Sequence, residues 1–269
     1  MASGTGGQSA DRAGLLAGNP GSPAKGSIQR SDVVLGIVCP MANEAESATR
    51  LVREVLAKCE GFRRVTFFAV LDRVSTDNTL DLLKELARHE PRLTVIWAPE
   101  NRCVVDAYVC GYREALAAGC DWILEIDAGF SHDPENTPAF FEQMSKGYDC
   151  VFGSRFMKGG RITDGSLKRC LVSKGGTILT NLLIGTKLHD MTSGFELFSR
   201  QALEMVLGRG IQSRAHFFQT EIKVYCKSLR IKEIPIHYCM PSPRLRGSAI
   251  EDSFRQLWRL FKLRLSGDL

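Results

Sequence analysis

The sequence predicts an α/β protein built on a doubly wound, mostly parallel sheet flanked by helices. Three observations predict it. Apolar runs suited to strands alternate four times with helix-spaced apolar residues between Val33 and Ile126, which is the pattern of βαβ units. The first run, Val33 to Val38, is apolar without alternation, as in a strand covered on both faces. The run Trp122 to Ile126 ends abruptly on Asp127, followed by Gly129, His132, Asp133 and Pro134. That break delivers acidic and imidazole groups to the carboxyl edge of the sheet, where open α/β sheets bind ligands. No G-x-G-x-x-G follows the first strand, so a dinucleotide-binding domain of the usual kind is excluded.

The elements follow in order. Gly, Ser, Ala and Pro dominate residues 1–30, a composition expected of a disordered tail. After the first strand, Pro40 breaks the run, and Leu51, Val52, Val55 and Leu56 recur at helical spacing. Val65 to Leu71 is the second strand. It runs into Asp72 and a Ser75-Thr-Asp-Asn-Thr79 loop in which Ser75 or Asp77 can cap the next helix. Leu93 to Trp97 is the third strand, Val104 to Ala118 the third helix, and Trp122 to Ile126 the fourth strand. A helix reaches Lys146, and a strand over Asp149 to Phe152 ends in Gly153-Ser-Arg155. Leu167 to Leu183 reads as a helix with Leu171, Val172, Ile178 and Leu182 on one side. Phe195 to Phe198 is strand-like, Phe217 to Leu229 helical, and Ile231 to Tyr238 a last strand whose Pro235 points to a sheet edge. Residues 31–240 form the expected globular domain. Residues 241–269 add a basic loop with Arg244 and Arg246, then an amphipathic helix. That helix sets Phe254, Leu257, Trp258, Phe261 and Leu265 against Arg255, Arg259 and Lys262. Such a helix packs on the core or lies in a membrane interface.

Composition narrows the function classes. With 269 residues, 44% hydrophobic and 24% charged, the chain has the make-up of an ordinary globular protein. A net charge of +5 permits an anionic partner such as a phosphate or a membrane surface. No dense Lys/Arg stripe is interleaved with aromatics, so nucleic acid is not expected. The nine cysteines are odd in number and show no C-x-x-C spacing, which fits free thiols in a reducing cytosol better than disulfides or zinc. No apolar run reaches the length of a spanning helix, and no basic-then-apolar secretory signal opens the chain.

Six segments, in order, resemble the family 2 glycosyltransferases of GT-A fold, which are Rossmann-like nucleotide-sugar-binding proteins. The likeness is greatest to the polyprenyl-phosphate (dolichol-phosphate) mannosyl- and glucosyltransferases. Val38-Cys-Pro-Met-Ala-Asn-Glu44 is similar to the family's first strand and P-x-x-N-E turn, and Leu71 to Thr79 to its D-D-x-S-x-D-x-T loop. Ile126 to Pro134 sits at its D-x-D…H-x-P, and Asp190 to Phe195 resembles D-x-T-S-G-F. Gly153-Ser-Arg155, then Arg169 and Ser173, resemble its acceptor-phosphate residues. The resemblance implies that Pro40, Asn43, Glu44 and Asp72 hold the nucleotide, and that Asp127 faces the donor diphosphate and a Mg²⁺ or Mn²⁺ ion. It further implies that Arg155, Arg169 and Ser173 hold a lipid phosphate, with Asp127 and Arg155 at the chemistry. The implied reaction is inverting transfer of a sugar from a nucleotide diphosphate to a polyprenyl phosphate, by a cytoplasmic protein peripheral on the inner membrane face.

The chain departs from the family at two places. D-x-D reads Asp127-Ala-Gly129, so the second carboxylate is missing, and Arg73 and Val74 replace Asp and Gly after Asp72. Hard divalent cations take several oxygen ligands, so His132 or Asp133 could supplement Asp127, Asp133 reading equally as a helix cap. Arg73 could offset diphosphate charge or lie at the surface. His216, Gln219 and Glu221 could touch substrate or serve the core. Arg244 and Arg246 could close over phosphate or stay solvated. A soluble or glycan acceptor, and a nucleotide-sugar-binding protein without turnover, are the competing readings at this point.

Overall fold

In the computed structural model, residues 27–163, 167–239 and 247–269 are described, without the side chains of 167–169 and 247–248. Most of the expected tail, and Arg244 and Arg246, lie outside these residues. Val34–Pro40 forms β1 and Arg64–Leu71 forms β2, which pairs with it in parallel register, Ile37 opposite Phe67. Leu93–Trp97 (β3) extends the sheet outward from β2, and Trp122–Glu125 (β4) joins β1 on its other side, both parallel. The first half of the sheet is ordered 3-2-1-4, one of the orders open to four strand–helix alternations.

β1 shows why the sheet is covered on both faces. Leu35, Ile37 and Cys39 enter one apolar cluster with Ala48–Ala57 (α1), Thr79–Ala87 (α2) and, further on, Thr137–Ser145 (α4). Val34 and Val38 enter the other, with Tyr108 and Tyr112 of Val104–Ala117 (α3). Alternate residues of one strand thus feed two cores. The close approach of α3 depends on Gly111, where an added Cβ would lie 2.4 Å from Val38 Cγ1.

The second half departs from a purely parallel plan. Cys150–Ser154 (β5) does not pair with β4. Glu196–Ser199 (β7) inserts between them, antiparallel to both, and places Glu196 opposite Glu125. Ile231–Pro235 (β8) closes the sheet beside β5, parallel to it. The last strand was expected to run on to Tyr238. Pro235 has no N–H to continue the ladder, and the chain leaves the edge there. His237–Tyr238 (β9) then pairs with Arg161–Ile162 (β6) in a separate two-stranded piece.

Leu167–Ile184 (α5), Arg200–Arg209 (α6), Phe218–Tyr225 (α7) and Gly247–Ser266 (α8) complete the fold. α8 packs against α5 and α7 through buried Leu257 and Leu260. It does not bury its whole apolar face. Phe254 and Trp258 are 62% and 56% exposed, and Leu171, Ile178 and Leu182 of α5 are exposed as well. One correction concerns the basic face of α8. Arg259, expected beside Lys262 on an outer stripe, turns inward and pairs with the fully buried carboxylate of Glu221, touching Tyr225 as well. No described helix is long and apolar enough to cross a membrane.

Candidate active site at the carboxyl edge of the sheet

A cleft of about 550 Å³ opens where β1 and β4 end. Pro40 and Glu44 enter it from the turn after β1, and Asp127 and His132 from the segment after β4. Arg155 follows β5 into it, and Ser173 reaches it from α5. Five positions widely spaced in sequence are thus brought together: Pro40, Glu44, Asp127, Arg155 and Ser173. Asn43 and Asp72 do not line the cleft. Asn43 is exposed, with a left-handed φ of 58°. Its side-chain oxygen accepts from the backbone of Thr76 and Asp77, and its amide donates to the carbonyl of Val74. Asp72, buried, accepts from Val74 N at 2.9 Å. Asn43 thus ties the turn after β1 to the loop after β2, and Asp72 braces the start of that loop. Arg73 is exposed and outside the cleft lining. Arg169 lies on α5, its side chain outside the described residues.

Asp127 is held by one oxygen. Tyr108 donates its hydroxyl to Oδ1 at 2.5 Å, while Oδ2 stands 3.8 Å from His132 Nδ1. His132 is 1% exposed and its Nδ1 has no hydrogen-bond partner. Burial pushes its pKa down to about 4, against the opposing pull of Asp127, so the ring is neutral at pH 7. A free carboxylate oxygen beside a neutral imidazole nitrogen is a donor set that a divalent cation such as Mn²⁺ can use, and the residues present fit such an ion. Asp133 turns away. It caps the short 3₁₀ turn Pro134–Asn136 by accepting from Glu135 N, and its other oxygen lies 3.5 Å from His237.

Arg155 is nearly buried and fully engaged. Its Nε and Nη2 form a fork on the two oxygens of Asp190, at 2.7 and 2.9 Å, and Nη2 also donates to Thr192. Burial opposes the charge on each partner. Their mutual attraction nevertheless holds the Arg155 pKa above and that of Asp190 below its ordinary range. Asp190 is aimed by Glu233, which accepts the backbone N–H groups of His189 and Asp190.

Beneath the cleft lies a polar network that the periodicity of the sequence did not bring out. Glu125, Glu196 and Lys223 are all fully buried. Lys223 Nζ sits 2.7 Å from Glu196 Oε1 and donates to Ser193 O. Glu125 accepts from Tyr112 and from Gln219. Burial, then Glu196, pushes the Glu125 carboxyl well above the carboxylate range. The available signal was a charged residue within each apolar segment: Glu125 in Trp122 to Ile126, Glu196 beside Phe195, Lys223 between Ile222 and Val224. Gln219 therefore works beneath the cleft as well as lining it, and Glu221 accepts from the backbone of Gln212 and Ser213 in the core. His216 lines the cleft.

Residues 36–207 match the model of glycosyl transferase family 2. The chain belongs to that family. Its activity is that of a glycosyltransferase. It is 27% identical over 223 residues to polyprenol monophosphomannose synthase of Mycolicibacterium smegmatis, covering 81% of this chain and 83% of that one. It is 30% identical over 171 residues to undecaprenyl-phosphate mannosyltransferase of Micrococcus luteus, covering 63% and 70%. Glucosyl-3-phosphoglycerate synthase from Mycobacterium tuberculosis, solved with Mn²⁺, UDP and phosphoglyceric acid, has the same fold. The TM-score is 0.60 at 15% identity, over 87% of this chain and 79% of that one. The expected GT-A fold and family are thereby borne out.

Proposed function

We propose that this glycosyltransferase moves a hexose, mannose by the names of its relatives, from a nucleotide diphosphate to the phosphate of a polyprenyl lipid, with inversion at the anomeric carbon. The observation that carries the reading is the make-up of the cleft. Carboxylates at strand ends stand in the same cavity as Val172 and Leu179 of α5 and Ile250, Phe254 and Leu257 of α8. The same two helices expose Ile178, Leu182 and Trp258 to solvent. A polar reaction centre opening onto an apolar, partly solvent-facing wall suits an acceptor with a charged head and a hydrocarbon chain.

Pro40 and Glu44 border the donor side, with Asn43 and Asp72 holding the loop beside it. Arg155 and Ser173 border the acceptor phosphate, joined by Arg169 from the same helix as Ser173. A divalent cation, Mg²⁺ or Mn²⁺, bound at Asp127 would neutralise charge on the departing diphosphate. A phosphate monoester has a second pKa near 6, so the acceptor oxygen is already anionic at neutral pH and needs no strong base. His132, neutral at pH 7, and Glu125, its carboxyl pushed up by burial, agree with a site in which no side chain must take a proton. The work of the protein is then to position two substrates and to exclude water.

The same wall supports a peripheral attachment to a membrane surface. Arg255 and Lys262 flank the exposed aromatics of α8, Lys262 lying 5.7 Å from the Trp258 ring. Seating Phe254 and Trp258 in a bilayer is worth about 1–1.5 kcal/mol each at their present exposure. Changing both to serine should weaken binding to anionic vesicles by roughly 30- to 150-fold.

The test is a donor-by-acceptor assay. GDP-mannose, UDP-glucose and UDP-GlcNAc, labelled in the sugar, are each incubated with a short polyprenyl phosphate or with 3-phosphoglycerate, in Mg²⁺, Mn²⁺ or EDTA. Label passing into the organic phase supports the lipid acceptor and names the donor. Label found only on phosphoglycerate, or on neither acceptor, sinks the lipid reading.

A further inference from the structure

A second cluster of metal-binding side chains lies behind the wall of the cleft. The segment after β4 runs antiparallel to β9, with His132 bridged to Tyr238. On either side of that bridge, Asp133 N donates to His237 O at 3.3 Å and Cys239 N to Ser131 O at 2.9 Å. Successive residues of an extended chain point to opposite faces. His132 and Tyr238 face the cleft, whereas Asp133, His237 and Cys239 share the other face and lie outside its lining.

The three side chains converge there. His237 Nδ1 lies 3.5 Å from Asp133 Oδ2 and 3.4 Å from Cys239 Sγ, and one ligand atom from each residue falls within 4.8 Å of the others. A tetrahedral zinc ion with ordinary bond lengths separates a nitrogen from an oxygen ligand by about 3.3 Å, and a nitrogen from a sulfur ligand by about 3.6 Å. Both edges of the cluster fall within about 0.2 Å of those values. The ring is also aimed. Thr163 Oγ1 stands 2.7 Å from His237 Nε2. With the ring proton donated to that hydroxyl, Nδ1 keeps its lone pair and turns it toward the cluster, as in metal-binding imidazoles oriented by a second hydrogen bond. Thr163 is itself fastened to β9, its N–H donating to Tyr238 O at 2.9 Å. Asp133 caps Glu135 N with Oδ1, which leaves Oδ2 facing His237.

We propose that Asp133, His237 and Cys239 hold a zinc ion, with water in the fourth position. A thiolate, an imidazole and a carboxylate together suit Zn²⁺, whereas Mg²⁺ and Ca²⁺ take oxygen ligands. On binding, the Cys239 thiol releases its proton to solvent and its sulfur bonds the metal. The ion takes no part in sugar transfer. It clasps β9 to the segment after β4, and so holds His132 and Tyr238 at the cleft wall. The expectation of free thiols without zinc rested on the absence of paired cysteines. This site needs one cysteine, set beside a histidine two residues away and an aspartate across the strand pair.

The experiment uses the full chain, stripped with EDTA and titrated with Co²⁺ as a spectroscopic substitute for zinc, then with Zn²⁺ in competition. No cysteine is among the described residues lining the cleft, so a cation at Asp127 gives no sulfur-to-cobalt charge-transfer band, whereas one at Cys239 does. One equivalent of Co²⁺ should bring up that band, with the intense visible absorption of a four-coordinate ion, and Zn²⁺ should remove both. Cys239→Ser should abolish the band and weaken Zn²⁺ binding roughly tenfold or more. Asp133→Asn, which keeps an oxygen for Glu135 N, should weaken binding about tenfold with the band retained. Cys110→Ser, on α3, should bind as the wild type does. In EDTA both site variants should melt within a few degrees of the wild type. No band in the wild type overturns the assignment, and so does a band that survives Cys239→Ser. Should Cys239→Ser fail to fold, wild-type affinity in Asp133→Asn overturns it.

Discussion

Replacing Glu125 by glutamine tests the charge balance of the network under the cleft. Two carboxylates and one ammonium lie fully buried together, and an unbalanced charge in such a place is costly. Neutrality requires one proton on the pair of acids. Lys223 stands 2.7 Å from Glu196 and pulls against the rise of its pKa, so the proton belongs on Glu125. The unfolded chain ionises this residue near pH 4.3, whereas the folded chain keeps the proton. While the folded chain holds this proton, each pH unit above 4.3 therefore lowers the unfolding free energy by about 1.4 kcal/mol through this group. The favourable contribution is complete below pH 4.3 and is lost as the pH climbs toward the raised folded value. With the proton held throughout, the loss from pH 5 to pH 7 is on the order of 2–3 kcal/mol. Glutamine has nearly the same shape, can satisfy Tyr112 and Gln219, and carries no proton to lose. Urea unfolding in EDTA at pH 5, 6 and 7 should show the stability difference moving toward the variant by about 2–3 kcal/mol across that range. A difference that stays constant with pH would mean that Glu125 is ionised in the folded protein and would refute the proton count.

Other changes read other contacts. Asp190→Asn removes the counter-charge of the nearly buried Arg155 side chain and should lower the unfolding free energy by about 3–5 kcal/mol, measured by urea titration. Gly111→Ala drives a methyl to 2.4 Å from Val38 and should cost about 1–3 kcal/mol. Gly208→Ala, on an exposed helical position with nothing within 4 Å, should instead stabilise by up to about 1 kcal/mol; the two melts together show whether α3 packs as described. Arg259→Glu sets a second carboxylate against buried Glu221 and should cost about 3 kcal/mol or more. Lys262→Glu should stay within about 0.5 kcal/mol and weaken only anionic-vesicle binding, so charge reversal on α8 is interpretable at Lys262 but not at Arg259.

The first half of the fold was legible because its signals are local. Each parallel strand is an apolar run ending at a polar turn, and each helix has one apolar face, so β1 to β4 follow from periodicity. The placement of β7 was not legible. Phe195 to Phe198 reads as a strand wherever it pairs, and its insertion between β4 and β5 depends on contacts distant in sequence. That insertion is what opposes Glu125 and Glu196, so the buried network could not be assembled from the sequence even though each member stands out in its segment. The site shows the same division. Asp127 announces itself at a strand end, and Pro40, Glu44, Arg155 and Ser173 were found through motif order. The engagement of Arg155 by Asp190 is a long-range pairing. The faces of α8 were misread at Arg259 because a helical wheel assigns each cation to water, whereas a buried Glu221 draws this one inward.

The pairing of Arg155 also bears on how two anions share one cleft. With Asp190 on its fork, Arg155 offers hydrogen-bond donors but little net charge, and Glu44 and Asp127 add negative charge on the donor side. The described cleft is thus not a strong anion trap by itself. Attraction for a diphosphate and a lipid phosphate must come from added cations. A divalent cation held at Asp127 would serve the first. For the second, the proposed reading looks to α5, which carries Arg169 and, outside the cleft lining, Lys174 with its ammonium 5.3 Å from the Phe156 ring. Under the proposed reaction the supply of charge would be divided: an ion would complete the donor side and α5 the acceptor side, so each substrate would meet the half of the site that it needs.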